Sequence, residues 1–339
     1  VASPRAFIAG CAGQSLTAEE VAFFRDADPL GFILFRRNIA DPDQVRALTA
    51  ALREAVGRAD APVLVDQEGG RVQRLGPPHW PRYPAGRAYG RLAADLAGRS
   101  ACARTGARLI AHDLRSVGID VDCLPVLDVP VPGAHDIIGD RAYDTDPAAV
   151  AVLGRAAAEG LLAGGVLPVV KHIPGHGRAG VDSHESLPRV SASLAELRAQ
   201  DFPPFRALAD MPIAMTAHVV YEAIDPDRPA TTSPLVVSEI IRGEIGFGGL
   251  LLTDDLSMRA LSGSFRERAE AALRAGVDVV LHCNGDLAEA RAVAEAAPRL
   301  SGESARRVAA AQARIAGPPP AFDVVDARRG FEAALAEAA

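Results

Sequence analysis

The chain lacks three things that would steer its reading elsewhere: a block of positive charge, a paired-cysteine pattern and a long apolar run. Its 36 basic side chains are outnumbered by 43 acidic ones, for a net charge of −7, and no Lys/Arg cluster stands out. A nucleic-acid surface is therefore excluded, because holding phosphates needs a concentrated basic patch. The four cysteines, Cys11, Cys102, Cys123 and Cys283, are far apart and form no C-x-x-C pair, so they read as reduced core residues. No apolar stretch approaches the roughly 20 residues that span a bilayer. Ile8-Ala9-Gly10-Cys11 looks like a lipoprotein cleavage site, but the segment before it is shorter than the roughly 7–15 apolar residues of a signal region and contains Pro4 and Arg5. The reading kept is a first buried strand, with the cytoplasm as the expected location. No internal repeat of fixed period and no low-complexity segment is visible.

What is present is a rhythm. In 339 residues, 49% hydrophobic and 23% charged, 31 glycines and 25 prolines point to many short, sharply ended connections in a globular chain. Eight short apolar runs recur: Ala6 to Ala9, Gly31 to Phe35, Pro62 to Val65, Ile119 to Asp122, Val166 to Val170, Pro212 to Met215, Gly249 to Leu252 and Val277 to Leu281. Between them lie amphipathic stretches such as Pro42 to Val56, Ala93 to Val117, Pro147 to Ala163, Leu194 to Leu208, Ser233 to Gly243, Phe265 to Ala275 and Asp286 to Ala296. Strands alternating with helices imply parallel pairing and right-handed crossovers. Polar residues follow many of the runs: Asp66 the third, Asp128 the fourth, Lys171 and His172 the fifth, His218 the sixth, Asp254 and Asp255 the seventh, His282 and Asn284 the eighth. A closed barrel gathers all those strand ends at one mouth, whereas an open sheet concentrates its ligand residues at one switch point. The expected fold is α/β, a single (β/α)8 TIM-type barrel over residues 1–316. An extension over 317–339 opens on Pro318-Pro319-Pro320 and ends in a helical pattern near Phe331 to Ala338, packed outside the barrel.

The densest chemistry is Lys171-His172-Ile173-Pro174-Gly175-His176-Gly177, followed by Asp182-Ser183-His184. Pro174, Gly175, Gly177 and Gly180 forbid an ordinary helix, so these side chains sit on a loop at a strand end. The same break argues against a metal: His172 and His176 have the i, i+4 spacing of a zinc pair, but Pro174 and Gly175 deny them a shared helical face. Lys171 sits among histidines and aspartates rather than in the apolar pocket a Schiff-base lysine needs, and reads as a hydrogen-bond donor to substrate hydroxyls. Asp182 and His184, two apart, suit a carboxylate that fixes one ring nitrogen so that the other serves as general acid/base; a surface pair is the alternative. In Thr253-Asp254-Asp255 only one of two adjacent carboxylates can face the mouth. Asp254 is the expected nucleophile and Asp255 the support for backbone or a cation, with a helix cap as the alternative for either. Asp66, on the Val65-Asp66-Gln67-Glu68-Gly69-Gly70-Arg71-Val72 loop, is placed to grip two sugar hydroxyls. Arg141, on the loop after the fourth run, suits an anionic or carbonyl-bearing group; a purely structural role is the alternative for both it and Asp66.

Taken together, these segments resemble glycoside hydrolase family 3, and within it the single-domain bacterial β-N-acetylhexosaminidases. The likeness runs collinearly from Gly31-Phe32-Ile33-Leu34-Phe35-Arg36-Arg37-Asn38 through Val65 to Arg74, Pro125 to Val129, Ile138-Gly139-Asp140-Arg141, Lys171 to Gly177, Asp182-Ser183-His184, Ala217 to Tyr221 and Thr253 to Met258, ending near Ala275 to Asp278. Ile173 stands where an aromatic is more usual. The resemblance implies a retaining mechanism on β-linked N-acetylglucosamine, with Asp254 as nucleophile, His184 paired to Asp182 as acid/base, and Asp66, Arg74, Arg141, Lys171 and His172 as sugar-binding positions. It further implies peptidoglycan recycling, in which N-acetylglucosamine is removed from an anhydro-N-acetylmuramic acid product. No cofactor and no metal is expected, and the expected partner is a small sugar substrate rather than nucleic acid or membrane. Two rival readings are a metal-dependent barrel hydrolase using His172, His176, His184 and an aspartate, which would lose activity to a chelator, and a non-catalytic sugar-binding barrel.

Overall fold

The computed structural model describes residues 3–336. Eight parallel strands close on themselves in chain order: β1 (Arg5–Gly10), β2 (Pro29–Leu34), β3 (Val63–Val65), β4 (Val121–Asp122), β5 (Leu167–Ile173), β6 (Ile213–Thr216), β7 (Leu250–Asp255) and β8 (Val279–His282), with β8 pairing back onto β1. The eight apolar runs of the sequence are these eight strands. Helices alternate with them: α1 (Ala18–Ala27), α2 (Pro42–Ala55), α3 (Leu96–Arg115), α4 (Pro147–Ala163), α5 (Phe202–Ala207), α6 (Val236–Glu244), α7 (Phe265–Ala275) and α8 (Leu287–Ala296).

The runs are apolar without interruption because both strand faces are buried. Side chains alternate between two compartments. Ala6, Ile8, Leu64, Val169, Met215, Leu252 and Leu281 fill the barrel interior, while Phe7, Ala9, Val63, Val65, Val170, Ala214 and Leu251 pack outward under the helices. After α8 the chain forms α9 (Gly302–Ala313), whose Val308 and Ala311 join the interior cluster and stopper the barrel at the N-terminal ends of its strands. The other end, where the strands finish, opens into a cavity.

The helices start where local chemistry dictates. Asp41 and Asp146 cap α2 and α4 just before Pro42 and Pro147, and Ser264 with Glu267 forms a capping box on α7. Thr17 with Glu20 does the same for α1, a helix given no range among the amphipathic stretches named from the sequence. The stretches read as plain helices at Leu194–Leu208 and Ser233–Gly243 differ in detail: the first contains a π-turn at Leu197–Asp201, and α6 itself has π-type bonding. The final helix, α10 (Val324–Ala336), buries Phe331 near Tyr83 and Tyr89, while Arg108 of α3 stacks on Phe322 and donates to the Pro320 carbonyl. Residues 337 and 338 of the helical pattern read there lie outside the described residues, as do the outermost residues of both expected ranges. Among the described residues no helix is long and apolar enough to cross a membrane.

Candidate active site

At the C-terminal ends of the strands lies a cavity of about 320 Å³, lined by Asp66, Arg74, Arg141, Lys171, His172, His184 and Asp254 among others. All but one of the sequence-derived site residues line it directly, and the exception, Asp182, bonds to one that does.

The floor is a buried charge network. Beyond β3 the chain folds into a small antiparallel pair, Gln67–Gly69 with Val72–Gln73. Buried Gln67 closes it: its side-chain oxygen accepts the N–H groups of Arg74 and Leu75, each at 3.0 Å, and its amide donates to the Leu75 carbonyl. That closure swings Arg74 over Asp66, whose Oδ2 accepts the Arg74 guanidinium at 3.0 Å while Oδ1 accepts Lys171 Nζ at 2.9 Å. Glu68 is the hub. It takes a bidentate bond from Arg141, 2.8 Å at both oxygens, and lies 2.7 Å from Lys171 Nζ. Burial works to raise both carboxyls, yet Lys171 with Arg74 holds Asp66 well below the usual range, and Arg141 with Lys171 holds Glu68 at about 2. Burial works to lower Lys171, but the two carboxylates outweigh it and keep the ammonium charged. Lys171 is also the single lysine of the chain, every other side-chain cation of the Lys/Arg class being an arginine.

These bonds limit what each residue has left to offer the cavity. Asp66 has each oxygen on a cation already, so only its remaining lone pairs are left for a further partner. Lys171 and Arg141 likewise spend part of their donor sets on Glu68 and present only the rest to the cavity.

The opposite wall carries Asp254, at the end of β7. Its Oδ1 accepts the Asp255 N–H at 2.8 Å, and Oδ2 lies 4.0 Å from His172 Nε2. Burial raises this carboxyl, but His172, His218, the Asp255 N–H and Lys171 outweigh it and leave Asp254 below its ordinary value, an anion at neutral pH. His172 is aimed by Asp128, which is fully buried and held at about 2 against its burial by the nearby histidines; Asp128 Oδ2 bonds His172 Nδ1 at 2.6 Å and Oδ1 accepts the His176 N–H at 2.7 Å. Nε2 is the ring atom left for the cavity. Asp255 turns to the backbone, accepting the N–H groups of Ser257 and Cys283 and the Ser257 hydroxyl. The support role expected for it is the one its bonds describe.

Above the cavity runs the loop that follows β5. Its start is fixed by Gly177, where a Cβ would lie 2.1 Å from the Val129 carbonyl oxygen, so no other residue fits. Further on, Asp182 Oδ1 accepts both the backbone N–H and Nδ1 of His184 at 2.8 Å. The backbone bond is an Asx turn that brings the ring back to the carboxylate. Burial tends to raise Asp182, but His184 lowers it below its usual value. His184 is 64% exposed, and its Nε2 is free of the dyad bond. Ser183 ties the loop down, with its hydroxyl 3.1 Å from His176 Nε2 and its carbonyl accepting the Ala260 N–H.

Not every polar residue at a strand end faces the mouth. His282 and Asn284 both bond to Glu289 of α8, and His218 is buried between Thr231 and the Asp255 carbonyl. Among the described residues no group of three or more His, Cys, Asp or Glu is arranged to hold a metal ion.

Residues 14–317 match the Glycosyl hydrolase family 3 N terminal domain. The chain belongs to glycosyl hydrolase family 3. A β-hexosaminidase of Pseudomonas aeruginosa is 42% identical over 291 residues, 85% of each chain, and one of Alkalilimnicola ehrlichii is 42% identical over 81% of this chain and 79% of that one. NagZ from Neisseria gonorrhoeae, solved in complex with N-trifluoroacetyl-D-glucosamine, superposes with a TM-score of 0.85 at 33% identity, covering 99% of this chain and 98% of that one. This family 3 chain is an enzyme of the β-hexosaminidase type. Sequence reasoning missed Glu68 as the hub of the floor, Asp128 as the residue that aims His172, and the Ser183–His176 tie. For Glu68 a signal existed: a lone lysine at a strand end needs buried anions, and the next acid after Asp66 was the candidate.

Proposed function

We propose that this enzyme is a retaining exo-β-N-acetylglucosaminidase in which Asp254 is the nucleophile and His184, held by Asp182, the acid/base. The observation that carries this reading is that two complementary groups border one cavity. Asp254 keeps Oδ2 clear of its backbone bond, and His184 keeps Nε2 clear of its bond to Asp182. A glycosidic bond breaks through an oxocarbenium-like state that needs an anion close beneath the sugar and a proton donor at the leaving oxygen. In the first step Asp254 Oδ2 bonds to the anomeric carbon, the bond to the leaving oxygen breaks, and that oxygen takes the proton from His184 Nε2. In the second, water gives a proton to Nε2 while its oxygen displaces Asp254, restoring the free enzyme and a β-configured sugar. Histidine suits the task because one ring nitrogen can be held by a carboxylate while the other gives and takes a proton.

Asp66, Arg74, Arg141, Lys171 and His172 are the groups proposed to bind the sugar hydroxyls and the acetamido group. The sugar analogue bound in the gonococcal relative supports a 2-acetamido sugar as substrate. An anhydro-N-acetylmuramic acid aglycone, peptidoglycan recycling and a cytoplasmic setting complete the proposal, on the strength of the resemblance.

Incubation with a fluorinated N-acetylglucosaminide that traps the covalent intermediate, followed by peptide mapping, tests it. The label is expected on Asp254, and Asp254→Ala should lose roughly 10⁴-fold or more of the activity. His184→Ala should lose far more on phenyl than on dinitrophenyl N-acetylglucosaminides. A label elsewhere, or equal loss on both substrates, would overturn the assignment.

A further inference from the structure

The first turn of helix α5 contains two prolines, Pro203 and Pro204, which carry no N–H for the carbonyls of Ala199 and Gln200 four residues earlier. The turn before them widens in response. Leu197–Asp201 adopts π geometry, and the Phe202 N–H reaches back five residues to the Leu197 carbonyl. Such a turn shifts the side chains that precede it around the helix axis, and π-turns recur at functional places. Here the shifted residue is Asp201, whose side chain is 1% exposed and points beneath the start of the loop that carries His184.

Three contacts join it to that start. Asp201 Oδ2 accepts Arg178 Nε at 2.7 Å, and the neighbouring Gln200 accepts Arg178 Nη2 at 3.1 Å. The chain turns directly over Asp201 at Gly175, where φ is +137° and a Cβ would come within 3.0 Å of the Asp201 Cβ. The Tyr221 hydroxyl, donating to the Gly175 carbonyl at 2.6 Å, braces the same turn from β6's side. Past Arg178 the grip loosens: Ala179 bonds through its backbone, Gly180 has open space where a Cβ would sit, and the chain reaches Asp182 two residues on. Arg178 is thus the last charged side chain anchored before the dyad.

We infer that Arg178 and Asp201 form a clasp that sets where the acid/base loop starts, making both positioning residues for proton transfer by His184. The inference rests on the proposed role of His184. Neither residue lines the cavity, so neither touches substrate. The pair is a poor candidate for a mere stabiliser. Burial pushes Asp201 up to about 6 even beside Arg178, and its Oδ1 is buried with no partner. Buried ion pairs of this kind are often replaced by apolar side chains with no loss of stability. What such a replacement forfeits is a fixed geometry.

The test uses the full enzyme with Arg178→Met, Arg178→Lys and the double variant Arg178→Met/Asp201→Leu, assayed on phenyl and dinitrophenyl N-acetylglucosaminides beside His184→Ala. A misplacement of about 1 Å in a reacting group is worth roughly 100-fold. Arg178→Met and the double variant should therefore lose on the order of 10- to 100-fold in kcat on the phenyl glycoside, little on the dinitrophenyl one, and little in KM. Arg178→Lys should recover part of the loss. The double variant should match the wild type in Tm, which separates positioning from folding. Equal losses on both substrates, or none in a folded double variant, would overturn the clasp. If His184→Ala itself shows no leaving-group dependence, the proposed function fails instead.

Discussion

Two carboxylates of this site stand in opposite circumstances. Glu68, 3% exposed, binds a guanidinium at both oxygens and an ammonium besides; Asp182, 20% exposed, binds one imidazole that is itself 64% exposed. The floor is thus assembled before any sugar arrives, and its charges are fixed in a place where water screens them little. Fixed charges of that kind bind and stabilise without having to reorganise. The loop pair is built for exchange. In the proposed mechanism its proton leaves for a departing oxygen and returns from water, so the ring has to be reachable, and exposure makes the pair worth little to the fold. On the proposed mechanism, one region holds the sugar and the other passes protons.

The same change, acid to amide, should separate them. Glu68→Gln leaves Lys171 and Arg141 facing each other over one neutral acceptor, and breaking a buried pair costs about 3–5 kcal/mol. That is a large share of the 5–15 kcal/mol that holds a typical domain. A marked fall in Tm is expected, with a raised KM in whatever enzyme folds. Asp182→Asn should cost under about 1 kcal/mol by the same measurement, yet lower turnover of phenyl N-acetylglucosaminides while largely sparing dinitrophenyl ones. If Asp182→Asn melted as early as Glu68→Gln, the division between floor and loop would not hold.

His176 ties the loop to the Asp254 wall, through Ser183 and Asp128, and acid should find it. Burial first, then the neighbouring His172, lowers its pKa to about 4 from the 6.5 of an open chain. Between those values the unfolded state binds the proton and the folded state does not. The contribution is therefore whole above pH 6.5 and shrinks as pH falls to 4, by roughly 3 kcal/mol for a shift of this size. Asp201 works the other way over much of the same window: raised by burial to about 6, it takes its proton in the folded state and favours folding as pH falls. The two partly cancel in the wild type, so the measurement is a difference. His176→Gln should gain stability relative to wild type as pH drops from 6.5 to 4. A constant offset across that range would show that His176 is as easily protonated in the fold as outside it.

The barrel was legible because its eight strands are buried on both faces and announce themselves as unbroken apolar runs. The site was legible because its residues lie where those runs end, in the order a barrel mouth requires. What escaped were relations between distant parts. Nothing local in Gln67-Glu68-Gly69 says that Glu68 will meet Arg141 and Lys171, and nothing in Gln200-Asp201-Phe202 says that two prolines downstream will turn Asp201 inward. His282 misled for the converse reason: a strand end fixes a residue's height on the barrel, whereas the face it takes depends on alternation, which put its ring toward Glu289.

The smallest effect expected is none at all, and it probes the floor most directly. Lys171 is the only lysine in the chain, its side chain is 2% exposed, and Nζ lies within 2.9 Å of two carboxylates. Acylation needs a neutral, approachable amine, and Asp66 and Glu68 deny both conditions by keeping the proton on and filling the space around it. An amine-acylating reagent that silences enzymes through surface lysines should leave this one fully active, with Lys171 unmodified in a peptide map. The contrast with an exposed group is available in the same molecule, since an imidazole-directed reagent has His184 within reach. Should Lys171 instead acylate readily in the folded enzyme, the floor would have to open on its own, and a preassembled charge network could not be what holds the sugar.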